Sequence, residues 1–138
     1  MRNTEPEIVQ VAAAVIIDHR GCCLISRRHD HLHQGGLWEF PGGKLESGES
    51  ATAALQREIA EELGLEVVDS EHFMRVEHRY TDKHVCLEFF KVSEYRGQAH
   101  STDGQPLRWV PVQDLSNYHF PEANQPVVEC LQDEGQAS

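Results

Sequence analysis

Gly43-Lys44-Leu45-Glu46-Ser47-Gly48-Glu49-Ser50-Ala51-Thr52-Ala53-Ala54-Leu55-Gln56-Arg57-Glu58-Ile59-Ala60-Glu61-Glu62-Leu63-Gly64-Leu65 is the stretch on which the fold and chemistry of this chain turn. Ser50 is a good helix N-cap, the alanines at 51, 53, 54 and 60 favour helix, and Gly64 stands where a helix-ending glycine belongs. The spacing predicts a helix over Ser50–Leu63 with Leu55, Ile59 and Leu63 as its buried stripe. Glu58, Glu61 and Glu62, at i, i+3 and i+4, share one face of that helix. Like charges at those spacings repel, and a hard divalent cation with oxygen ligands is the natural compensation. Arg57 lies four residues before Glu61 and can pair with it, while Glu49 can fold back toward the same place. Gly42 and Gly43 let the backbone turn sharply, so that a carbonyl can also face a cation. A solvated acidic face would account for three glutamates. It does not account for the Gly-Gly break, the displaced Glu49, the Arg-Glu pair and the terminal Gly-Leu, all at fixed distances.

Upstream, Ile8–Ile17 is apolar and rich in Val, Ile and Ala, which predicts a buried strand. A turn over Asp18–Gly21 returns the chain as a strand over Cys22–Ser26. Arg27–Gly36 is a polar, histidine-rich loop, Leu37–Phe40 a short strand, and Pro41-Gly42-Gly43 a break in regular structure. Downstream, Phe73–Tyr80 and His84–Val92 flank Thr81-Asp82-Lys83 as a hairpin. Arg96–Gln105 is a polar loop, Leu107–Val112 a strand, Asp114–Asn117 a turn, and Ala123–Gln132 a short helix with Val127, Val128 and Leu131 inward. Strands interleaved with two helices predict an α/β fold, a mixed sheet packed between helices. The 138 residues suit one domain, 1–138, ending in a short polar tail.

The formal charge of −11 argues against binding a nucleic-acid polymer, which requires a basic surface. It is compatible with a small phosphorylated substrate held through metal ions. Cys22, Cys23, Cys86 and Cys130 form no CxxC pair and are expected to be reduced thiols. His29, His31 and His33 alternate along one loop, without the cysteines or longer spacing of a zinc set. No apolar run approaches membrane-spanning length and the first residues lack a signal-peptide core, so no membrane partner and a cytoplasmic location are expected.

Gly43–Leu65 resembles the Nudix box, G-x5-E-x7-R-E-U-x-E-E-x-G-U with U aliphatic, at every fixed position. That resemblance implies an α/β/α sandwich that uses Mg²⁺ or Mn²⁺ to hydrolyse nucleoside diphosphates linked to another moiety. It implies Glu58 and Glu62 as metal ligands with Glu61 beside them, a Gly42 backbone carbonyl facing the metal, and Glu49 and Arg57 in support. Beyond the box, the chain is similar to the MutT-type 8-oxo-dGTP diphosphatases of that family. The similarity rests on Ser26-Arg27-Arg28, on Trp38-Glu39-Phe40-Pro41-Gly42-Gly43-Lys44, and on Phe120-Pro121-Glu122-Ala123-Asn124-Gln125-Pro126, which matches F-P-x-A-N-x-P. It implies that Asn124 reads the base, that Phe40 lines the base pocket, and that Arg28 and His33 lie near sugar and phosphate. Asp103 falls where the family has a glutamate proposed as metal ligand or base, one methylene longer. The implied activity is Mg²⁺-dependent cleavage of 8-oxo-dGTP to 8-oxo-dGMP and pyrophosphate by a monomer. The alternatives are a pyrophosphohydrolase of CTP or another nucleoside triphosphate, or a nucleotide-binding module without catalysis.

Overall fold

The computed structural model describes residues 7–30, 35–81 and 83–136. In chain order the elements are β1 (Glu7–Ile16), β2 (Cys22–Arg27), β3 (Trp38–Glu39), β4 (Gly42–Lys44), α1 (Ala51–Leu63), β5 (Glu66–Arg79), β6 (Lys83–Arg96) and β7 (Leu107–Pro111). Two 3₁₀ turns, Val112–Asn117 and Glu122–Asn124, lead into α2 (Gln125–Gln136).

β1 explains the layering. Its residues alternate between two cores: Ala12, Ala14 and Ile16 meet α1 through Leu55, Ile59 and Leu63, whereas Ala13 and Val15 share a second core with Val127, Val128 and Leu131 of α2. A strand covered on both faces reads as a continuous apolar run, which is why Ile8–Ile17 lacks a polar alternation. The result is an α/β/α sandwich, as expected. Where one mixed sheet was expected there are two sheets. A four-stranded one runs β4-β1-β6-β5 and a three-stranded one β3-β2-β7. Only the first is mixed, with β1 parallel to β6 and antiparallel to β4.

Several boundaries differ from the sequence expectation. Pro41-Gly42-Gly43 does not simply break structure: Gly42–Lys44 pairs with Val11–Ala13 as an edge strand. The hairpin strands run on to Glu66 and Arg96, because main-chain pairing continues through polar residues where register shifts absorb the mismatch. Residues 122–124 form a 3₁₀ turn, and the last helix begins at Gln125 and runs to Gln136. The helix over the carboxylates is capped as read. The Ser50 hydroxyl accepts from the Ala53 N–H at 3.1 Å, and Gly64, at φ +67°, donates its N–H to the Ala60 carbonyl. All four cysteines are free thiols, and burial pushes that of Cys23 up to about 12.

β4 can approach β1 only because Gly42 has no side chain: a Cβ there would run into the Ala12 carbonyl. Gly42→Ala should therefore lower unfolding stability by about 1–3 kcal/mol, the usual cost of overpacking. Urea denaturation measures this, and an unchanged midpoint would show that β4 does not need the close approach.

Candidate active site

The box strand and the box helix meet at one contact. Gly43 pairs with Ala12 on β1, and a Cβ on Gly43 would occupy the space of the Glu58 carboxylate. Glu58 thus lies across the β4 backbone, and the second glycine is required by the first carboxylate of the helix.

Arg57 organises the acids around it. Its Nε and Nη2 donate to the two Glu49 oxygens at 2.8 and 2.9 Å, a bidentate fork. Nη1 donates to Glu58 Oε1 at 2.7 Å, and Nη2 also reaches the Lys44 carbonyl at 3.1 Å. The hydrogen bonds from Arg57, joined by the Glu46 N–H, hold the Glu49 carboxyl down to about 2. The expected Arg57–Glu61 pair is the looser contact, at 3.4 Å, with Glu61 61% exposed. The fork is already committed to Glu49 and Glu58, so little of it remains for the residue one turn on.

Glu62, half-buried one turn after Glu58, is pushed the other way, up to about 8. Burial is the first cause, followed by the charges of Glu58 and Glu39, a hydrogen bond shared with Glu58, and the charge of Asp103. A carboxyl kept neutral near pH 7 by other carboxylates is a group short of positive charge. Among the described residues no three acidic, imidazole or thiol groups already converge into a closed cation cage. The donors present are nevertheless all oxygen: Glu58, Glu62 and the main chain around Gly42, with Asp103 exposed but within electrostatic reach of Glu62. That chemistry fits a hard divalent cation, which would reverse the sense of the Glu62 shift.

Beside the acids lie two adjoining cavities. The inner one, about 160 Å³, is walled by Arg28, Glu39, Phe40, Gly42, Gly43 and Asn124, with Val11, Ala13, Lys44, Leu87 and Phe89 completing it. The outer one, about 180 Å³, shares Arg28, Glu39, Lys44 and Asn124 and adds Tyr80 and Lys83 from the hairpin. Phe40 is only 3% exposed; it stacks on Phe120 at 5.3 Å and meets Phe89 edge-on at 5.9 Å. It is core and pocket wall at once. Asn124 ends the 3₁₀ turn before α2, where its N–H donates to the Pro121 carbonyl at 2.9 Å. The residue is 9% exposed, and its carboxamide makes no hydrogen bond with another described residue, so it does not cap the helix and opens on the cavities. Such a buried amide is satisfied only by a ligand or water.

Arg28 donates to Glu39 at 3.0 Å. Burial raises the Glu39 carboxyl, and Arg28 opposes that rise. Glu39, Lys44 and Tyr80 were absent from the residues singled out in the sequence. Glu39 carried a signal, an acid between Trp38 and Phe40 in a strand, since an acid buried there needs a partner. Lys44 and Tyr80 carried none. His33 lies outside the described residues.

The geometry agrees with what the chain resembles. The model of the NUDIX domain matches residues 12–130. An 8-oxo-dGTP diphosphatase of Escherichia coli is 34% identical over 123 residues, 89% of this chain and 95% of that one. A CTP pyrophosphohydrolase of the same organism is 32% identical over 91% of this chain and 92% of its own length. Among solved structures, that of a MutT protein, from work on Aliivibrio salmonicida and Vibrio cholerae, superposes with a TM-score of 0.82 at 37% identity. It covers 93% of this chain and 99% of the other.

The Glu62 shift sets a measurable proton balance. The carboxyl is mainly protonated below pH 8 without metal and must be ionised to hold a cation, so binding expels a proton at neutral pH. Calorimetric titration of Mn²⁺ or Mg²⁺ in buffers of different ionisation enthalpy should find close to one proton released at pH 6.5 and nearly none above pH 9.5. Equal release at both values would remove Glu62 from the cation site.

Proposed function

This chain belongs to the Nudix family, and we propose that within it the chain hydrolyses 8-oxo-dGTP to 8-oxo-dGMP and pyrophosphate, clearing a mutagenic precursor from the nucleotide pool. The observation that carries the reading is the position of the Asn124 carboxamide. Asn124 is buried, its carboxamide has no protein partner among the described residues, and it opens on a cavity whose other wall includes Gly42 and Gly43 of the edge strand β4. An amide offers an acceptor and two donors, which suits a purine edge. The cavity thus offers a base site on one side and, on the other, the Gly43 backbone against which the Glu58 carboxylate lies. Phe40 supplies an apolar ring to that wall, and Arg28 a cation at its mouth. The 8-oxo-dGTP diphosphatase of E. coli, matched over nearly its whole length, supports the assignment.

Divalent cations, Mg²⁺ in our proposal with Mn²⁺ as a substitute, supply charge neutralisation on the phosphate oxygens and acidify the attacking water when bound. Glu58 and Glu62, with the Gly42 carbonyl and Asp103, are the groups proposed to hold them. The protein's own part is to position these groups. Arg57 fixes Glu58 and Glu49 by direct hydrogen bonds, so that neither has to be oriented during the reaction. Glu49 and Glu61 are candidate proton acceptors; Glu49, held down to about 2, is a weak base, whereas Glu61 is exposed and loosely paired. Attack at the β-phosphorus would leave 8-oxo-dGMP in the base cavity. His33 is proposed near the sugar and phosphate on the resemblance alone. The chain is proposed to act as one domain, as a cytoplasmic monomer, on the free nucleotide; no helix among the described residues is long and apolar enough to cross a membrane.

The CTP pyrophosphohydrolase of E. coli supports a second reading, since it matches almost as much of the chain. Steady-state kinetics with 8-oxo-dGTP, dGTP and CTP separate the two. The expected kcat/KM preference for 8-oxo-dGTP over dGTP exceeds tenfold, about 1.4 kcal/mol. Asn124→Ala should reduce that preference while leaving pyrophosphate release from dGTP largely intact. A higher kcat/KM for CTP would transfer the assignment. Replacing the ligand itself is the test of the metal reading: Glu58→Gln should lower kcat by a factor on the order of a hundred or more. Turnover at the wild-type rate would show that the cations are held elsewhere.

A further inference from the structure

The last turn of α1 leaves carbonyls that the helix cannot satisfy internally. Gly64 takes that of Ala60. The others are met from the loop before β7. The His100 N–H donates to Leu63 O at 3.0 Å, the Thr102 N–H to Glu62 O at 3.1 Å, and the Thr102 hydroxyl to Glu61 O at 2.9 Å with a longer contact of 3.3 Å to Glu62 O. Helix α1 has no basic residue in this turn, and Glu61 places negative charge at its negative end. These donors are what offsets that mismatch. The imidazole of His100 lies against Gly64, filling the space a Cβ would need there.

We infer that Thr102 is a positioning residue: by binding the main chain of Glu61 and Glu62 it fixes the next residue, Asp103, against the end of the carboxylate helix. The inference rests on the proposed reading of Asp103 as a metal ligand and goes beyond it. Asp103 is one methylene shorter than glutamate, so its reach depends on where its backbone stands. The Thr102 hydroxyl adds a side-chain bond to the main-chain bonds from His100 and Thr102 that set that position. Thr102 binds the main chain of Glu61 and of Glu62, a proposed metal ligand, and so ties the loop to the helix at this point. Asp103 itself is exposed, and two glycines at positive φ, Gly97 at +103° and Gly104 at +77°, flank the loop. Between these glycines the loop is held to the helix by His100 and Thr102, and Thr102 is the anchor adjoining Asp103.

The test is Mn²⁺ affinity of the intact, nucleotide-free protein, measured by electron paramagnetic resonance titration, for Thr102→Val, Thr102→Ser, Asp103→Asn and the Thr102→Val/Asp103→Asn double variant. Thr102→Val is expected to weaken binding about tenfold, the usual scale for groups that orient a metal ligand, and Thr102→Ser to bind as the parent does. In the Asp103→Asn background Thr102→Val should cost nothing further, because the carboxylate it positions is gone. If Thr102 merely caps the helix, its loss would act equally in both backgrounds, and that additivity overturns the inference. Wild-type affinity in Thr102→Val with weakened affinity in Asp103→Asn overturns it too. Wild-type affinity in Asp103→Asn alone removes Asp103 from the metal site, and with it both the earlier reading and this one. Should Thr102→Val fail to fold, Thr102→Ala removes the same hydroxyl without its methyl groups and is read in the same cycle.

Discussion

Arg57 is the hinge of the arrangement. Its guanidinium donates to Glu49 through a two-pronged fork, to Glu58 and to the Lys44 carbonyl, so one cation ties the box loop, the box strand and the box helix together. The pairing is mutual: the carboxylates hold Arg57 charged well above its ordinary range. Without it, Glu46, Glu49 and Glu58 would face one another unscreened. A lysine would keep the charge but not the fork, and the two-oxygen grip on Glu49 would be lost. Arg57 does not neutralise the site, however. It secures Glu49 and Glu58 and leaves Glu62 facing Glu58, Glu39 and Asp103 with the charge deficit that a divalent cation would fill.

The scaffold that permits this is equally economical. β1 is buried on both faces, and β4 lies along its edge close enough that glycine is needed at 42. The base side of the cavities comes from elsewhere, through Phe40 after β3 and Asn124 before α2. Phe40 is pinned by Phe89 and Phe120 in the core shared with α2, so the second helix holds the pocket wall as the first holds the acids. Each half of the site is anchored in its own hydrophobic cluster.

The parts of this legible in the sequence were those governed by local periodicity. The α1 stripe, its Ser50 cap, its Gly64 stop and the two-faced burial of β1 all follow from spacing within a few residues. What escaped depends on contacts between distant segments. Gly42–Lys44 is a strand only because Val11–Ala13 lies beside it. The Arg57–Glu61 contact inferred from helix spacing is present at 3.4 Å, but Glu58 holds the same Nη1 more closely, at 2.7 Å, and Glu49 takes Nε and Nη2. Glu39 was quoted only as part of a motif, and its buried pairing with Arg28 depends on a partner eleven residues away. The Thr102 anchor could not be read at all, since its partners are main-chain carbonyls, which no side-chain pattern reports.

The parallel pairing of β1 with β6 carries a further consequence, for the order of assembly. Glu7 lies opposite Lys83 and Ile16 opposite Val92, a separation of 76 residues along the whole ladder. On a ribosome adding about 5–20 residues per second, β1 waits roughly 4–15 s before its parallel partner emerges. In that interval the most apolar strand of the chain has only the short edge of β4 to pair with. The β5–β6 hairpin, joined by local contacts, forms without that delay once both strands are made. Of the described strands β1 is synthesised before the others, yet its longest ladder closes only once β6 is made, so the nascent chain carries this apolar segment without its parallel partner throughout that interval.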